Sequence, residues 1–310
     1  MRDDRMDWEH RLKEPPFMEP MFTEKLRTNV RRRLTESQRG PARSFRGIRG
    51  AGGLLAAFVC LGLVIFWSAS AFQPAAPVPE LRPSYYKDGN LLLQVFPDPE
   101  LKAGRSYGYI FSFAELGFEA VNKTMAIEAV HLATGRRETV VKPYVLTPEV
   151  LAGISFARYT AFSAMPLEGY WRYEVLLDGE LYADVILDVG EPSWEATGTF
   201  DAGSYKMTGI DGKVGFIDPG FVAGQPNKYM WHFWGNEEEL DGRFEVLAVK
   251  QGSMELVPVF EADSLGGENN GANRHLPSSM ILPEPGHWRL LPYVNGKLID
   301  SIVVEVEKGT

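Results

Sequence analysis

The sequence of 310 residues holds a single cysteine, Cys60. No intramolecular disulfide can form, so any exported part must be held by core packing, which suits a Gram-positive bacterial surface better than a eukaryotic secretory product. Histidine is also scarce, at five residues. His232, His275 and His287 are scattered, with no HxH or HExxH spacing and no cysteine beside them, so no metal centre is expected. Glu268, Asn269 and Asn270 lack the aspartate-rich spacing of a calcium loop. There is no GxSxG, and no Ser-His-Asp order stands out from ordinary surface residues. These absences leave no catalytic residue and no cofactor to assign, and point away from an enzyme.

Charge is missing from one stretch altogether. Ala51 to Phe72 reads AGGLLAAFVCLGLVIFWSASAF, 22 residues without a charged side chain. At 1.5 Å rise that is about 33 Å of helix, enough to cross a hydrocarbon core of roughly 30 Å. Residues 1–50 contain 13 Lys+Arg and 8 Asp+Glu, whereas the chain beyond 72 carries an acid excess that takes the whole to a net of -9. The positive-inside rule puts the N-terminus in the cytoplasm and the C-terminal part outside, with Trp67 near the outer interface. Ala69-Ser70-Ala71 resembles a signal-peptidase site, but a 50-residue N-region is long for a cleaved signal, so an uncleaved signal-anchor is expected. Cys60 follows Ala57-Phe58-Val59 without the small residue a lipidated cysteine needs, and reads as part of the membrane helix. An acidic exported part repels phosphate, so no nucleic-acid partner is expected.

Around this segment the chain divides. In the tail, Phe22, Leu26, Val30 and Leu34 recur every four residues, which predicts a short basic amphipathic helix over 22–34. It would lie on the inner leaflet or dock a cytoplasmic protein. Four prolines fall within 73–83, predicting an extended spacer of about 34 Å at 3.1 Å per residue. Beyond it the hydrophobic period becomes two.

Two stretches of that part are alike. Gly169, Trp171, Arg172, Gly179 and Val189 recur 117 positions later as Gly286, Trp288, Arg289, Gly296 and Val306. Ala103-Gly104, Tyr109 and Phe113 recur 120 positions later as Ala223-Gly224, Tyr229 and Phe233. This is a tandem duplication. Asp178-Gly179 and Asn295-Gly296 read as hairpin turns. In the second copy, strands are expected near 212–217, 228–234, 243–250, 255–260, 276–282, 286–294 and 297–306. The predicted fold is all-β: two immunoglobulin-like β-sandwiches at 84–190 and 208–308, joined by a linker at 191–207. Trp171 and Trp288 occur in both copies and are assigned to the two cores.

Two stretches of the second copy could bind a ligand. Lys228 to Gly235 is dense in aromatic residues, and Tyr229, Trp231 and Trp234 are candidates for a stacking face. Leu265 to Ser279 reads as a long loop of glycines and amides, with Asn269, Asn270, Asn273, Arg274 and His275 as candidate binding residues. The first copy lacks a comparable loop. The acidic run Glu237–Asp241 reads as a solvated turn.

Gly215-Phe-Ile-Asp218, Lys228-Tyr-Met-Trp-His-Phe-Trp-Gly235, Asn269-Asn-Gly271, His275-Leu-Pro-Ser278 and Gly286-His-Trp-Arg289 together resemble a family of exported proteins of Gram-positive spore-formers that carry a domain of unknown function. Ala223-Gly224, Leu265-Gly-Gly267 and Ile302-Val-Val304 belong to the same resemblance, which covers about 209–306. It implies an exported β-rich domain and supplies no activity. It also implies lipid anchoring, for which this sequence has no matching cysteine motif. The expected function is non-enzymatic binding or sensing at the cell envelope, with a protein, peptide or glycan ligand. The alternatives are a transmembrane regulator of anti-sigma type, whose partner docks at 22–34, and an envelope hydrolase or inhibitor.

Overall fold

The computed structural model describes residues 79–114, 116–149 and 158–309. The tail at 1–50, its helix at 22–34, the apolar run at 51–72 and the spacer up to residue 78 lie outside the described residues. Among the described residues no helix is long and apolar enough to cross a membrane.

Period-two alternation builds the first half. Its strands are β1 (Ser84–Lys87), β2 (Asn90–Pro97), β3 (Ser106–Phe113), β4 (Thr124–His131), β5 (Arg137–Val145), β6 (Tyr159–Ala164), β7 (Gly169–Leu177) and β8 (Glu180–Val189). They pair as two four-stranded sheets, β1-β2-β3-β6 and β5-β4-β7-β8. Alternate residues such as Tyr109, Phe111 and Phe113 from one sheet and Trp171, Tyr173 and Val175 from the other fill the space between them. The Tyr173 hydroxyl meets the Tyr109 hydroxyl at 3.0 Å, so neither buried phenol lacks a partner.

The second half has β9 (Thr199–Ala202), β10 (Tyr205–Ile210), β11 (Val214–Ile217), β12 (Phe221–Val222), β13 (Asn227–Phe233), a one-turn helix α1 (Glu237–Leu240), β14 (Phe244–Lys250), β15 (Val257–Ala262), β16 (Arg274–Met280), β17 (Gly286–Val294), β18 (Lys297–Leu298) and β19 (Ile302–Glu307). One sheet runs β16-β13-β11-β10-β9 and the other β12-β19-β17-β14-β15. Their shared core includes Phe216, Trp231, Phe244, Leu290 and Val304.

The two sandwiches share one topology. Strand order β2-β3-β6 against β5-β4-β7-β8 recurs as β11-β13-β16 against β15-β14-β17-β19, a three-on-four immunoglobulin- or fibronectin-like arrangement. The correspondence reaches single hydrogen bonds. Ala103 and Gly104 donate to the carbonyls of Gly190 and Met165, and Ala223 and Gly224 donate to those of Glu307 and Leu282. Trp171 Nε1 donates to the Leu167 carbonyl and Trp288 Nε1 to the Glu284 carbonyl, both at 2.9 Å and both four residues back. Both indoles are buried. At Asp178-Gly179 and Asn295-Gly296 both residues have positive φ, the conformation that a two-residue hairpin of matching twist needs.

The copies differ in what covers their outer faces. On β7, Arg172 and Glu174 point away from the core and pair at 2.6 Å. On β17 the equivalent outer face carries Arg289, Leu291 and Tyr293, and it is buried against the first sandwich. Val249, Leu291, Tyr293 and Leu298 join the first apolar core. Arg289, 2% exposed, donates from Nη2 to the Pro166 carbonyl at 2.8 Å and lies 5.2 Å over the Trp194 ring. Burial pushes its pKa down to about 10. Tyr293 donates to Glu138 Oε1 at 3.0 Å, where Arg136 also pairs at 2.8 Å. Residues 77–310 accordingly make one compact unit.

Three expected boundaries shift. The spacer ends earlier, because Arg82 already exchanges both backbone hydrogen bonds with Ile186 and its guanidinium pairs with Asp184 at 2.8 Å. The expected linker at 191–207 contains β9 and the start of β10, a hairpin added to the second sandwich's sheet. The expected strand at 297–306 is broken at 299–301. The break lies beside Pro292, which accepts from Ile299 N and has no N–H to give back. There Asp300 is buried and pairs with Lys213 at 2.9 Å.

Candidate binding surface on the second sandwich

Strand β13 sorts its aromatic side chains by parity. Tyr229, Trp231 and Phe233 point inward. Trp231 packs on Phe216 at 4.8 Å between ring centroids and gives its N–H to Ser278 Oγ at 3.1 Å. Tyr229 stacks on Phe221 at 4.3 Å and donates to the Gly220 carbonyl at 3.0 Å. The expectation of a stacking face from Tyr229 and Trp231 is therefore overturned: both are core residues without an open ring face. The even positions point outward, and Trp234 continues that side just past the strand.

Trp234 is half-buried rather than open. Its indole N–H donates to the Gly271 carbonyl at 2.9 Å. Its ring meets Phe200 edge-on at 5.7 Å and lies over His232 at 6.4 Å. Phe200 in turn lies on Gly215, where a Cβ would stand 2.8 Å from the ring; only glycine leaves that space.

The stretch expected as a long loop is a small hairpin folded over this outer face. Gly266 bridges His275, and Asn269 bridges Ala272. Asn270 and Gly271 take positive φ at its tip, the same Asn-Gly turn that closes β17. Asn270 Nδ2 bonds His232 Nε2 at 3.0 Å, and His232 Nδ1 bonds the Met230 carbonyl at 3.1 Å. A carbonyl only accepts and an amide nitrogen only donates, so His232 is the neutral Nδ1–H tautomer. Its complete burial pushes its pKa down, which agrees. His275 Nδ1 donates to the Gly267 carbonyl at 2.7 Å. Asn273 Oδ1 accepts from Gly235 N at 3.1 Å.

The structure thus brings together Asn269, Asn270, Asn273, Arg274, His275 and Trp234 in one hairpin and its support. Asn270 Nδ2 and His275 Nδ1 are used internally. Asn273 is exposed, and Arg274 faces Glu237 at 4.0 Å. Between the hairpin and α1 lies a shallow pocket of ≈ 90 Å³, lined by Gly235, Asn236, Glu237, Leu240, Glu268, Asn273 and Arg274. The acidic run expected as a turn forms α1. Asn236 caps it, accepting from Glu239 N at 2.8 Å while Glu239 Oε2 accepts from Asn236 N. The Asn-x-x-Glu spacing was the signal for it. Among the described residues no cluster of three His, Cys, Asp or Glu could hold a metal ion.

Residues 182–304 match a domain of unknown function, DUF4871. The matched segment starts in β8 and takes in the whole hairpin surface. No curated protein matches the chain. Among solved structures, an inferred lipoprotein from Bacillus anthracis is 29% identical over 37% of this chain and 87% of its own, with a TM-score of 0.32. The Escherichia coli adhesin FdeC is 11% identical over 69% of this chain and 63% of its own, at a TM-score of 0.23. The FN1–FN3 domains of chicken CNTN1 are 9% identical over 69% of this chain and 66% of their own, at 0.20.

Proposed function

We propose that this chain is a membrane-anchored, extracytoplasmic protein of the cell envelope that binds or senses a partner without catalysis, through the hairpin surface of its second sandwich. The carrying observation is the hairpin itself. Its Asn270 and His275 side chains and the Trp234 indole are hydrogen-bonded within the protein, while Glu268, Asn273 and the Arg274–Glu237 pair stand around a polar pocket. Groups fixed in advance lose little entropy on contact.

The pocket's size favours a contact over a reaction site. At ≈ 90 Å³ it is well below the roughly 300–1,000 Å³ of small-molecule sites. It takes one protruding group, a carboxylate toward Arg274 or an amine toward Glu237, from a larger protein, peptide or glycan. The anchoring part of the reading rests on the uncharged run 51–72 and its basic flank.

Purified cell-wall sacculi test the binding. The detergent-solubilised full chain should sediment with them. The Glu268→Ala/Arg274→Ala double variant, which keeps the Asn273–Gly235 hydrogen bond, should stay in the supernatant with an unchanged melting temperature. Equal sedimentation of the folded variant would remove the hairpin surface from the function.

A further inference from the structure

Each sandwich has two outward sheet faces, and three of the four are accounted for. The outer face of β16-β13-β11-β10-β9 is covered by the 266–275 hairpin and Phe200. That of β12-β19-β17-β14-β15 is buried against the first sandwich through Val249, Leu291 and Tyr293. The face of β5-β4-β7-β8 is dressed with ion pairs, Arg172–Glu174, Arg137–Glu128 and Arg82–Asp184.

The fourth, on β1-β2-β3-β6, has no such cover among the described residues. Register places Phe96 opposite Ile110, and Phe162 opposite Gly108 on the next strand, all pointing away from the core. Phe162 lies along Gly108, where a Cβ would be 3.3 Å from its ring. Phe96 is 45% and Phe162 60% exposed. The four strands of this sheet contain no acidic residue, although the chain as a whole is acidic. Two exposed phenylalanine rings on a sheet whose strands carry no acid, in an acidic protein, offer a surface to an apolar partner that carries negative charge around it.

Chain length says which partner is within reach. This sheet begins at Ser84, and Arg82 already locks the chain to β8. Only residues 73–81 separate the end of the uncharged run at Phe72 from Arg82, the first residue locked to the body. Nine residues span at most about 30–32 Å even when fully extended, about the length of one sandwich strand. We propose that the Phe96–Ile110–Phe162 face rests on the outer leaflet of the membrane that anchors the chain, with the two phenylalanine rings at the headgroup–acyl boundary. The second sandwich and its hairpin surface are then held in a fixed orientation to the bilayer. This inference rests on the membrane anchor of the proposed function, and not on the hairpin.

The test uses the full chain in phosphatidylcholine–phosphatidylglycerol vesicles. Flotation after alkaline carbonate extraction checks the anchor separately: a chain released by carbonate sinks the anchor and this inference with it. Nitroxide labels are then placed by Phe96→Cys, Phe162→Cys and, as a control on the other sandwich, Met254→Cys, each with Cys60→Ala. All three positions are exposed, so folding is retained. Collision rates with oxygen and with a water-soluble nickel chelate are read by electron paramagnetic resonance. The expected result is a severalfold higher oxygen-to-nickel ratio at 96 and 162 than at 254. Water-like ratios at all three positions in a carbonate-resistant chain would overturn the proposal. So would protection of 96 and 162 from both reagents with spin–spin broadening, which would mean that a second copy covers the face.

Discussion

Truncating Trp288 to alanine tests how the second core is built and how far it is coupled to the first. The indole is 3% exposed, packs among the second core's residues and gives its N–H to the Glu284 carbonyl at 2.9 Å. Removing a buried tryptophan costs about 3–5 kcal/mol. The neighbouring Arg289 and Leu291 face the other way, into the contact with the first sandwich, so the cavity opens on one side of a sheet whose other side is clamped. The two sandwiches should therefore melt together. For a cooperative body of this size each kcal/mol lowers the melting temperature by about 2–4 °C, giving a fall of about 6–20 °C. Calorimetry of wild type and Trp288→Ala should show one transition each, displaced by that amount. Trp288→Phe should lie between them, since it keeps most of the volume and loses the hydrogen bond. An unchanged melting temperature would refute the core assignment. Two transitions, of which only one moves, would refute the coupling.

Two further outcomes follow from individual residues. Gly104 has φ +84°, and a Cβ there would meet Ser301 Oγ at 2.3 Å and Arg289 Nη1 at 2.5 Å, whereas Gly224 has φ +73° with open space around it. Gly104→Ala should destabilise more than Gly224→Ala, which bears only the backbone cost of about 1–2 kcal/mol; equal losses in chemical denaturation would show that Gly104 does not seat the two sandwiches. Burial pushes His131 and His232 below their ordinary value of 6.5. The unfolded chain then binds more protons below that pH, and stability falls on acidification. Between pH 7.5 and 5.5 the wild type should lose more melting temperature than a His131→Gln/His232→Gln variant; parallel losses would assign the acid effect elsewhere.

Much of the β architecture is legible in the sequence. Asp-Gly and Asn-Gly turns, the repeated Trp-Arg pair and the Ala-Gly step all mark equivalent places in two sandwiches of one topology. What was less legible is what covers each sheet. Arg172 and Arg289 occupy equivalent positions, yet one lies on an ion-paired face and the other under Pro166. The difference was present in their neighbours: Glu174 alternates in β7, whereas Leu290 to Val294 in β17 is apolar apart from the tyrosine hydroxyl, as a strand buried on both faces must be. Sequence alternation does not place Tyr229 and Trp231, because large side chains occupy both parities of β13. The histidine at 232 marks the outer side, but its partner Asn270 is 38 residues away and could not be paired with it from sequence. The 266–275 hairpin reads as a loop in the sequence because its strands are short, although Asn270-Gly271 carries the same turn signal as Asn295-Gly296.

The claim on which the proposed function and the lipid-facing sheet both depend is that residues beyond 72 stand outside the membrane and residues 1–50 inside. Protease added to intact protoplasts that express the full chain, with distinct epitope tags at each end, tests it directly. The C-terminal tag should disappear while a membrane-bound fragment with the N-terminal tag survives until the protoplasts are lysed. Protection of the C-terminal tag in intact cells, or loss of the N-terminal one, would contradict the account.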